Sequence, residues 1–291
     1  LITIDDVHFL WLPLAHSFGK VLTSAQLQIG FMTAVDGRVP EIINNLPVVQ
    51  PTIMAGVPRI YEKVYAGAAA TLEASAAKKA IGDWAFRIGK QAAAKRNAGE
   101  PVAGMLGAQL NIAEKLVFSK IKAKTGGRIR FFISGSAALS RDIAEWFDAA
   151  GMPVLEGYGL TETSAATCVL RPDAIAYGTV GAPLPGTEIR IADDGEILIK
   201  GPGVMRGYRN RPEANDEAFA PGDGWFASGD IGIVDDKGRV KITDRKKDLV
   251  KTSGGKYIAP GAIESAFKAE SPLIGAAVVV ANERNFASML I

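Results

Sequence analysis

The nonapeptide EGYGLTETS, residues Glu156 to Ser164, sets a hydroxyl and a carboxylate directly behind a pair of glycines. Gly157 and Gly159 would let the backbone turn its N–H groups toward an anion, and the Thr161 hydroxyl adds a donor. In the dinucleotide fingerprint G-x-G-x-x-G a third glycine would follow, but that position is Glu162. A carboxylate beside a phosphate makes chemical sense when a cation lies between them. Mg2+ takes one or two carboxylates together with phosphate oxygens and water. Tyr158, held between the glycines, has a ring face to offer a base. Taken alone, the nonapeptide is equally an ordinary tight turn with Glu162 solvated.

Other segments carry complementary chemistry. ISGSAALS, Ile133 to Ser140, passes from an apolar run through Gly135-Ser136-Ala137 into a helical pattern. Small residues at the carboxyl end of a strand are where open α/β sheets admit ligands. No second glycine follows at the spacing of a nucleophile elbow. GWFASGD, Gly224 to Asp230, ends in a carboxylate able to accept both hydroxyls of a ribose, or else in a turn-forming aspartate. Arg245 offers a planar donor fork for phosphate or ribose oxygens, or is one solvated charge of the cluster Arg245-Lys246-Lys247. The two histidines are too few and too separated for a zinc site. His8 reads as structural, whereas His16, in PLAHSFG after an apolar run, is placed to face a pocket. SGGKY has a Gly-Lys pair, but Val250 stands where a P-loop needs its first glycine.

Positioning these residues requires strands alternating with helices. VHFLWLPLA and RIRFFISG are short apolar runs of the kind buried in parallel sheets. Between them, Tyr61 to about Lys124 is rich in Ala, Lys, Glu and Leu and predicts two or three helices. Leu139 to Ala150 predicts another, with Ile143, Trp146 and Phe147 on one face. From Arg171 to Thr243 the pattern changes to alternating strands around Asp194-Gly195 and Lys237-Gly238, two hairpins. A charged run, Asp244 to Asp248, then reads as a linker or hinge. A short helix near Ala262–Ala269 and the strand GAAVVVA follow it.

The expected fold is α/β. Residues 1–169 form the α/β part of a large domain and 170–243 a β-rich subdomain, a distorted barrel. Residues 244–248 form a hinge, and 249–291 the start of a small α+β C-terminal domain. At 291 residues, 48% hydrophobic and 22% charged, the chain is globular, and a net charge of +2 gives no reason to expect a nucleic-acid partner. The single cysteine, Cys168, excludes an internal disulfide and reads as a buried thiol of a reducing, cytoplasmic compartment. No apolar run approaches the ~20 residues of a membrane span, while peripheral membrane contact and oligomeric state stay open. The chain begins Leu-Ile-Thr and ends Met-Leu-Ile, so both ends read as cut from something longer.

Taken in order, PLAHSFG, ISGSAAL, EGYGLTE, GWFASGD and ITDRKKDLVKTSGGKYIAP resemble the adenylate-forming superfamily of acyl-CoA synthetases, peptide-synthetase adenylation domains and firefly luciferase. VPRIYEKV followed by a long helical region, with the DRKKDLVKTSGGKYIAP segment, is most similar to bacterial long-chain fatty-acid–CoA ligases. The resemblance implies that Gly135, Ser136 and Ala137 line one side of an adenine pocket. Glu156, Gly157, Tyr158 and Gly159 line the other, with Tyr158 stacked on the base. It implies Thr161 at the α-phosphate, Glu162 at Mg2+, Asp230 on the ribose diol and Arg245 reaching ribose and phosphate. His16 matches a position near the acyl carboxylate, and Lys247 a hinge. Ser253, Gly254, Gly255 and Lys256 match a loop on the coenzyme A side.

The implied activity is ATP-dependent activation of a long-chain fatty acid to acyl-AMP, then transfer to coenzyme A. The alternatives are another acid–CoA ligase, a fatty-acyl-AMP ligase, or a non-catalytic nucleotide-binding module. The family's Ser/Thr/Gly-rich pyrophosphate loop and its C-terminal lysine have no counterpart here. Ser228 stands where threonine is usual, and Ala262 where glutamate is frequent.

Overall fold

The computed structural model describes residues 2–251, 257–258, 260–269, 274, 277–281 and 286–291. The first half alternates as the sequence predicts. Strand β1 (Val7–Leu10) leads to α1 (Ser17–Ile29), β2 (Met32–Val35), α2 (Ile42–Val49), β3 (Ile53–Gly56) and α3 (Pro58–Glu73). Next come α4 (Ala76–Asn97), α5 (Gly104–Ala113), a π-helical turn (Glu114–Phe118) and α6 (Ser119–Lys124). The last three form one unbroken helical run, so the expected two or three helices are three runs. Strand β4 (Phe131–Ser134), α7 (Arg141–Ala149) and β5 (Val154–Tyr158) close this part.

The sheet has the order β2-β1-β3-β4-β5-β6-β7, with β6 (Cys168–Val169) and β7 (Ala182–Pro183) on its far edge. The strands from β2 to β5 are parallel, and β5, β6 and β7 pair antiparallel. Strand β3 is buried along its whole length, as its unbroken apolar run Ile53-Met54-Ala55 requires between helical layers. Helix α7 lays Trp146 and Phe147 into the core against Tyr61, Phe86 and Phe132. The Tyr61 hydroxyl, fully buried, donates to the Ile133 carbonyl at 2.8 Å. A side chain at Gly89 would fall 2.4 Å from the Ala149 carbonyl, so α4 and α7 pack at a distance only glycine permits.

At the amino ends of the parallel strands a charged lock joins three residues that each sit just before a strand. Arg130 Nη1 donates to Asp6 Oδ1 at 2.6 Å and to Oδ2 at 2.7 Å. The Thr52 hydroxyl donates to Asp6 Oδ1 at 2.6 Å and accepts the Val7 N–H at 2.9 Å. Burial alone would raise the Asp6 pKa, but Arg130, Thr52 and the Thr3 N–H outweigh it and hold the carboxyl below its ordinary range.

The second half is a four-stranded antiparallel sheet ordered β11-β10-β9-β8. Strands β8 (Glu188–Ile191) and β9 (Glu196–Lys200) form the hairpin at Asp194-Gly195. Helix α8 (Pro212–Ala218) then precedes β10 (Phe226–Val234) and β11 (Val240–Arg245), the hairpin at Lys237-Gly238. Ile197, Ile199, Phe226 and Val240 are buried between this sheet and β6, so Tyr158 and Cys168 belong to the same cluster. Burial lifts the Cys168 thiol to about 12, which keeps it an inert core residue.

Beyond β11 lie β12 (Val250–Lys251), β13 (Tyr257–Ile258), α9 (Pro260–Ala269), β14 (Val278–Val280) and β15 (Ser288–Leu290). Among the described residues no helix is long and apolar enough to cross a membrane.

Candidate nucleotide site

In the parallel sheet the chain runs from β1 to β2 on one side and then to β3 on the other. This reversal of strand order opens a crevice at the carboxyl ends, where doubly wound sheets take their ligands. The loop Gly135-Ser136-Ala137 leaves β4 at this edge, with the Gly135 N–H on the Gly56 carbonyl at 3.1 Å. A side chain at Gly135 would come within 3.1 Å of the Phe18 ring of α1. Ser136 adopts φ +69°, a left-handed conformation that turns the chain sharply before α7.

Glu156 lies beside Ser134 in the β4–β5 register. Its Oε2 accepts the Leu139 N–H at 3.2 Å, while Oε1 and the Ser134 hydroxyl are buried without a protein partner. Burial pushes the Glu156 carboxyl up to about 7, against a smaller lowering by the Leu139 N–H. Two unpartnered polar atoms side by side at the ligand edge of a sheet fit a ligand able to donate and accept.

Of the two glycines in the nonapeptide, Gly157 has ordinary room for a side chain and Gly159 has none. Gly157 lies within β5, paired with Val169. A side chain at Gly159 would fall 2.0 Å from the Ala165 carbonyl, so the chain folds back on itself there. Thr161–Thr163 form a short 3-10 turn, tied by the Leu160 N–H to Thr163 Oγ1 at 2.9 Å. That turn brings Thr161 Oγ1 within 3.4 Å of Ser17 Oγ in the first turn of α1. His16 is the N-cap residue of α1, exposed and in extended conformation, directly before Ser17. Glu162 is half-buried, and its Oε1 accepts the Tyr208 hydroxyl at 2.7 Å.

The antiparallel sheet supplies the opposite wall. Pairing between β10 and β9 shifts register between Ala227 and Ile231, releasing Ser228-Gly229-Asp230 from β9 while Asp230 stays paired with Arg245 of β11. Asp230 Oδ2 accepts the Tyr158 hydroxyl at 2.7 Å, and Oδ1 lies 3.3 Å from Arg245 Nε. The Ser228 hydroxyl accepts the Asp230 N–H at 3.1 Å. Asp230 is 4% exposed, and burial raises its pKa while Tyr158 and Arg245 pull it partly back. Tyr158 is itself only 8% exposed, so a base would meet one edge or part of one face. Arg245 is mostly exposed, which leaves its remaining donors free to reach outward.

Glu196 ties this wall to the expected hinge. Its Oε1 accepts the Gly229 N–H at 2.8 Å and its Oε2 sits 2.7 Å from Lys246 Nζ, which also reaches Asp194 Oδ2 at 2.7 Å. Lys247 follows in an exposed turn and makes no ion pair among the described residues. Ser253, Gly254, Gly255 and Lys256 lie outside the described residues.

Sequence patterns did not single out Tyr208, Ser17 or Glu196. Ser17 follows His16 directly in PLAHSFG, a usable signal. Tyr208 lies 46 positions from Glu162, beyond the reach of any local spacing.

A parallel sheet whose β5 is joined at its carboxyl end to a second, antiparallel sheet by the Tyr158–Asp230 bond defines an α/β protein with a candidate ligand edge where the two sheets meet. The chain belongs to the AMP-binding enzyme family, whose sequence profile matches residues 2–209. It is 37% identical over 284 residues to the long-chain-fatty-acid–CoA ligase FadD15 of Mycobacterium bovis, covering 97% of this chain and 46% of that protein. With long-chain-fatty-acid–CoA ligase 2 of Schizosaccharomyces pombe it shares 36% identity over 296 residues, covering 94% of this chain and 41% of that protein. The chain thus spans about half the length of the curated relatives it matches. Its fold matches O-succinylbenzoate coenzyme A synthetase (MenE) from Bacillus subtilis, solved in complex with ATP and magnesium ion. The TM-score is 0.68 at 24% identity, covering 99% of this chain and 51% of that one.

Proposed function

We propose that this chain carries the nucleotide-handling part of an AMP-forming long-chain fatty-acid–CoA ligase. The observation that carries this reading is the junction of Tyr158, Asp230 and Arg245 at the carboxyl end of β5. Identity of 35–37% to named fatty-acid–CoA ligases supports the choice of acid.

In this reading adenine lies between residues 135–137 and the 156–159 strand end, where Glu156 Oε1 and Ser134 Oγ await partners. The ribose diol takes the two oxygens of Asp230, displacing or sharing its present donors, and Arg245 turns outward to ribose and phosphate oxygens. Thr161 donates to the α-phosphate. Glu162 is the residue that would hold Mg2+: one oxygen is fixed by Tyr208 and the carboxylate is half open. Among the described residues no cluster of three or more His, Cys, Asp or Glu side chains could hold an ion. A single carboxylate suits a cation whose other ligands are phosphate oxygens and water. Mg2+ there would supply neutralisation of phosphate charge.

The proposed reaction has two displacements. A fatty carboxylate oxygen bonds the α-phosphorus of ATP and pyrophosphate leaves. The coenzyme A sulfur then bonds the acyl carbon, AMP leaves, and the thiol proton passes to solvent. No protein nucleophile is needed; these residues position reactants and stabilise charge. His16 is proposed for the approach of the acyl carboxylate, and residues 253–256 for the coenzyme A side. Lys247 is proposed as the hinge between the two half-reactions, with residues 1–169, 170–243 and 249–291 as the units it relates. We place the protein in the cytoplasm, with peripheral access to membranes that store its substrate.

The test is ATP–pyrophosphate exchange driven by a series of fatty acids, in a protein of the relatives' full length containing these residues. Exchange that depends on long-chain acids, with acyl-CoA formed when coenzyme A is added, supports the reading. Exchange driven only by short or aromatic acids would reassign the substrate, and no exchange with any acid would overturn the function.

A further inference from the structure

Away from the nucleotide site, helices α3, α4 and α6 and the π-helical turn enclose a surface cavity of about 290 Å3. Its walls are apolar: Leu72, Ile81, Leu116 and Ile121. Ile81 and Leu116 remain 45% and 47% exposed, so apolar surface is left facing water in a concave place. The π-helical turn, Glu114–Phe118, brings Leu116 and Val117 into the wall; such turns within α-helices recur at binding sites.

The rim is cationic. Lys78, Lys120 and Lys124 line the cavity, and no carboxylate does. Lys124 Nζ donates to Thr71 Oγ1 at 3.1 Å, a neutral partner. The side chains of Lys78 and Lys120 make no ion pair among the described residues. Lys122 and Lys79 on the same helices pair with Glu114 at 2.9 Å and Asp83 at 3.4 Å, but both carboxylates lie outside the cavity lining. An apolar floor beneath unpaired ammonium groups is complementary to a chain with an anionic head.

Position separates this cavity from the nucleotide crevice. Helix α3 starts at Pro58, directly after β3 at the ligand edge, and Leu72 lies about 20 Å further along its axis. The cavity shares no residue with the nucleotide site.

We propose that this cavity is a second, non-catalytic binding site for a single-chain anionic amphiphile, a monomeric fatty carboxylate with its head group on Lys78 and Lys120. The volume sits at the lower end of the roughly 300–1,000 Å3 range of small-molecule sites. It suits part of one alkyl chain rather than a two-chain lipid. The inference stands on the cavity alone and survives a different catalytic assignment.

The experiment is equilibrium dialysis of the 291-residue chain against radiolabelled dodecanoate kept below micelle formation, at low and high salt. The comparison is with Lys78→Glu/Lys120→Glu and Lys78→Gln/Lys120→Gln proteins, whose exposed substitutions are checked for unchanged unfolding midpoints. The expected result is a class of dodecanoate binding, separate from any at the proposed catalytic site, that weakens tenfold or more in the Glu variant, less in the Gln variant, and with added salt. Dodecyltrimethylammonium, the same chain with a cationic head, should not compete. Equal dodecanoate binding by all three proteins, or equal competition by the cation, would overturn the proposal. So would co-sedimentation with anionic phosphatidylglycerol vesicles that needs both lysines while monomeric dodecanoate fails to bind. If ATP–pyrophosphate exchange fails and this binding persists, only the catalytic reading falls.

Discussion

The Tyr158 hydroxyl donates to Asp230 Oδ2 at 2.7 Å, joining the last residue of β5 to the bulged centre of β10 across 72 positions of sequence. The bond ties the parallel sheet to the antiparallel one at the point where both meet the crevice. It also holds one oxygen of a carboxylate that is 4% exposed.

Replacing Tyr158 with Phe leaves Asp230 Oδ2 without that donor in a site closed to water. The expected cost is ~1–3 kcal/mol of folding stability, read as a lower urea midpoint, because an orphaned buried acceptor forfeits its solvation. Affinity for an adenosine-containing ligand should fall as well, since the carboxylate loses its orientation. A Phe variant with wild-type midpoint and wild-type affinity for AMP would remove the bond from both roles.

Glu156 makes stability fall as pH rises. Its carboxyl is raised to about 7 in the fold from an ordinary value near 4.5, so the folded state binds the extra proton between those values. The contribution is most favourable below pH 4.5, is lost progressively up to pH 7, and is constant above it. Glu156→Gln should therefore be close to neutral at pH 5 and stabilising by up to ~3 kcal/mol at pH 8. Urea titrations at the two pH values measure this; an equal effect at both would contradict it.

Glu162→Ala in the proposed ligase should slow Mg2+-dependent adenylate formation by ~2–4 kcal/mol of barrier. Tyr208→Phe releases only the Glu162 Oε1 contact, so its effect should be smaller and appear mainly as a higher Mg2+ requirement. Pyrophosphate exchange titrated with Mg2+ separates the two. Near-normal exchange in the Ala variant would move the metal elsewhere.

Lys246 is gripped by Asp194 and Glu196, both at 2.7 Å, whereas Lys247 makes no ion pair among the described residues. Lys247→Pro fixes φ at that position and should spare adenylate formation while blocking the thioester step. Equal loss of both half-reactions would argue against rotation at this residue.

Local chemistry made much of the architecture legible. Asp194-Gly195 and Lys237-Gly238 announced their hairpins because a three-residue hairpin loop ends in a residue at positive φ, the place both glycines take. Trp146 and Phe147 showed the buried face of α7 by helical period alone. The π-helical turn at Glu114–Phe118 was invisible, since nothing in its composition breaks helical pattern. In the nonapeptide the residue types suggested an anion turn, while the structure shows close packing at Gly159 against the Ala165 carbonyl and a strand pairing of Gly157 with Val169. Tyr208 on Glu162 and Glu196 on Gly229 depend on how two sheets face each other, which spacing within one segment does not encode.

The Asp6–Thr52–Arg130 lock lies at the amino ends of the strands, opposite the crevice. Its charges are satisfied within the protein, whereas Glu156 Oε1 and Ser134 Oγ at the other end are not. Folding strength and recognition therefore reside on opposite rims of one sheet. Substitutions at the crevice rim leave the Asp6–Thr52–Arg130 lock in place, so a stability change such as that of Tyr158→Phe stays local to the rim that is altered.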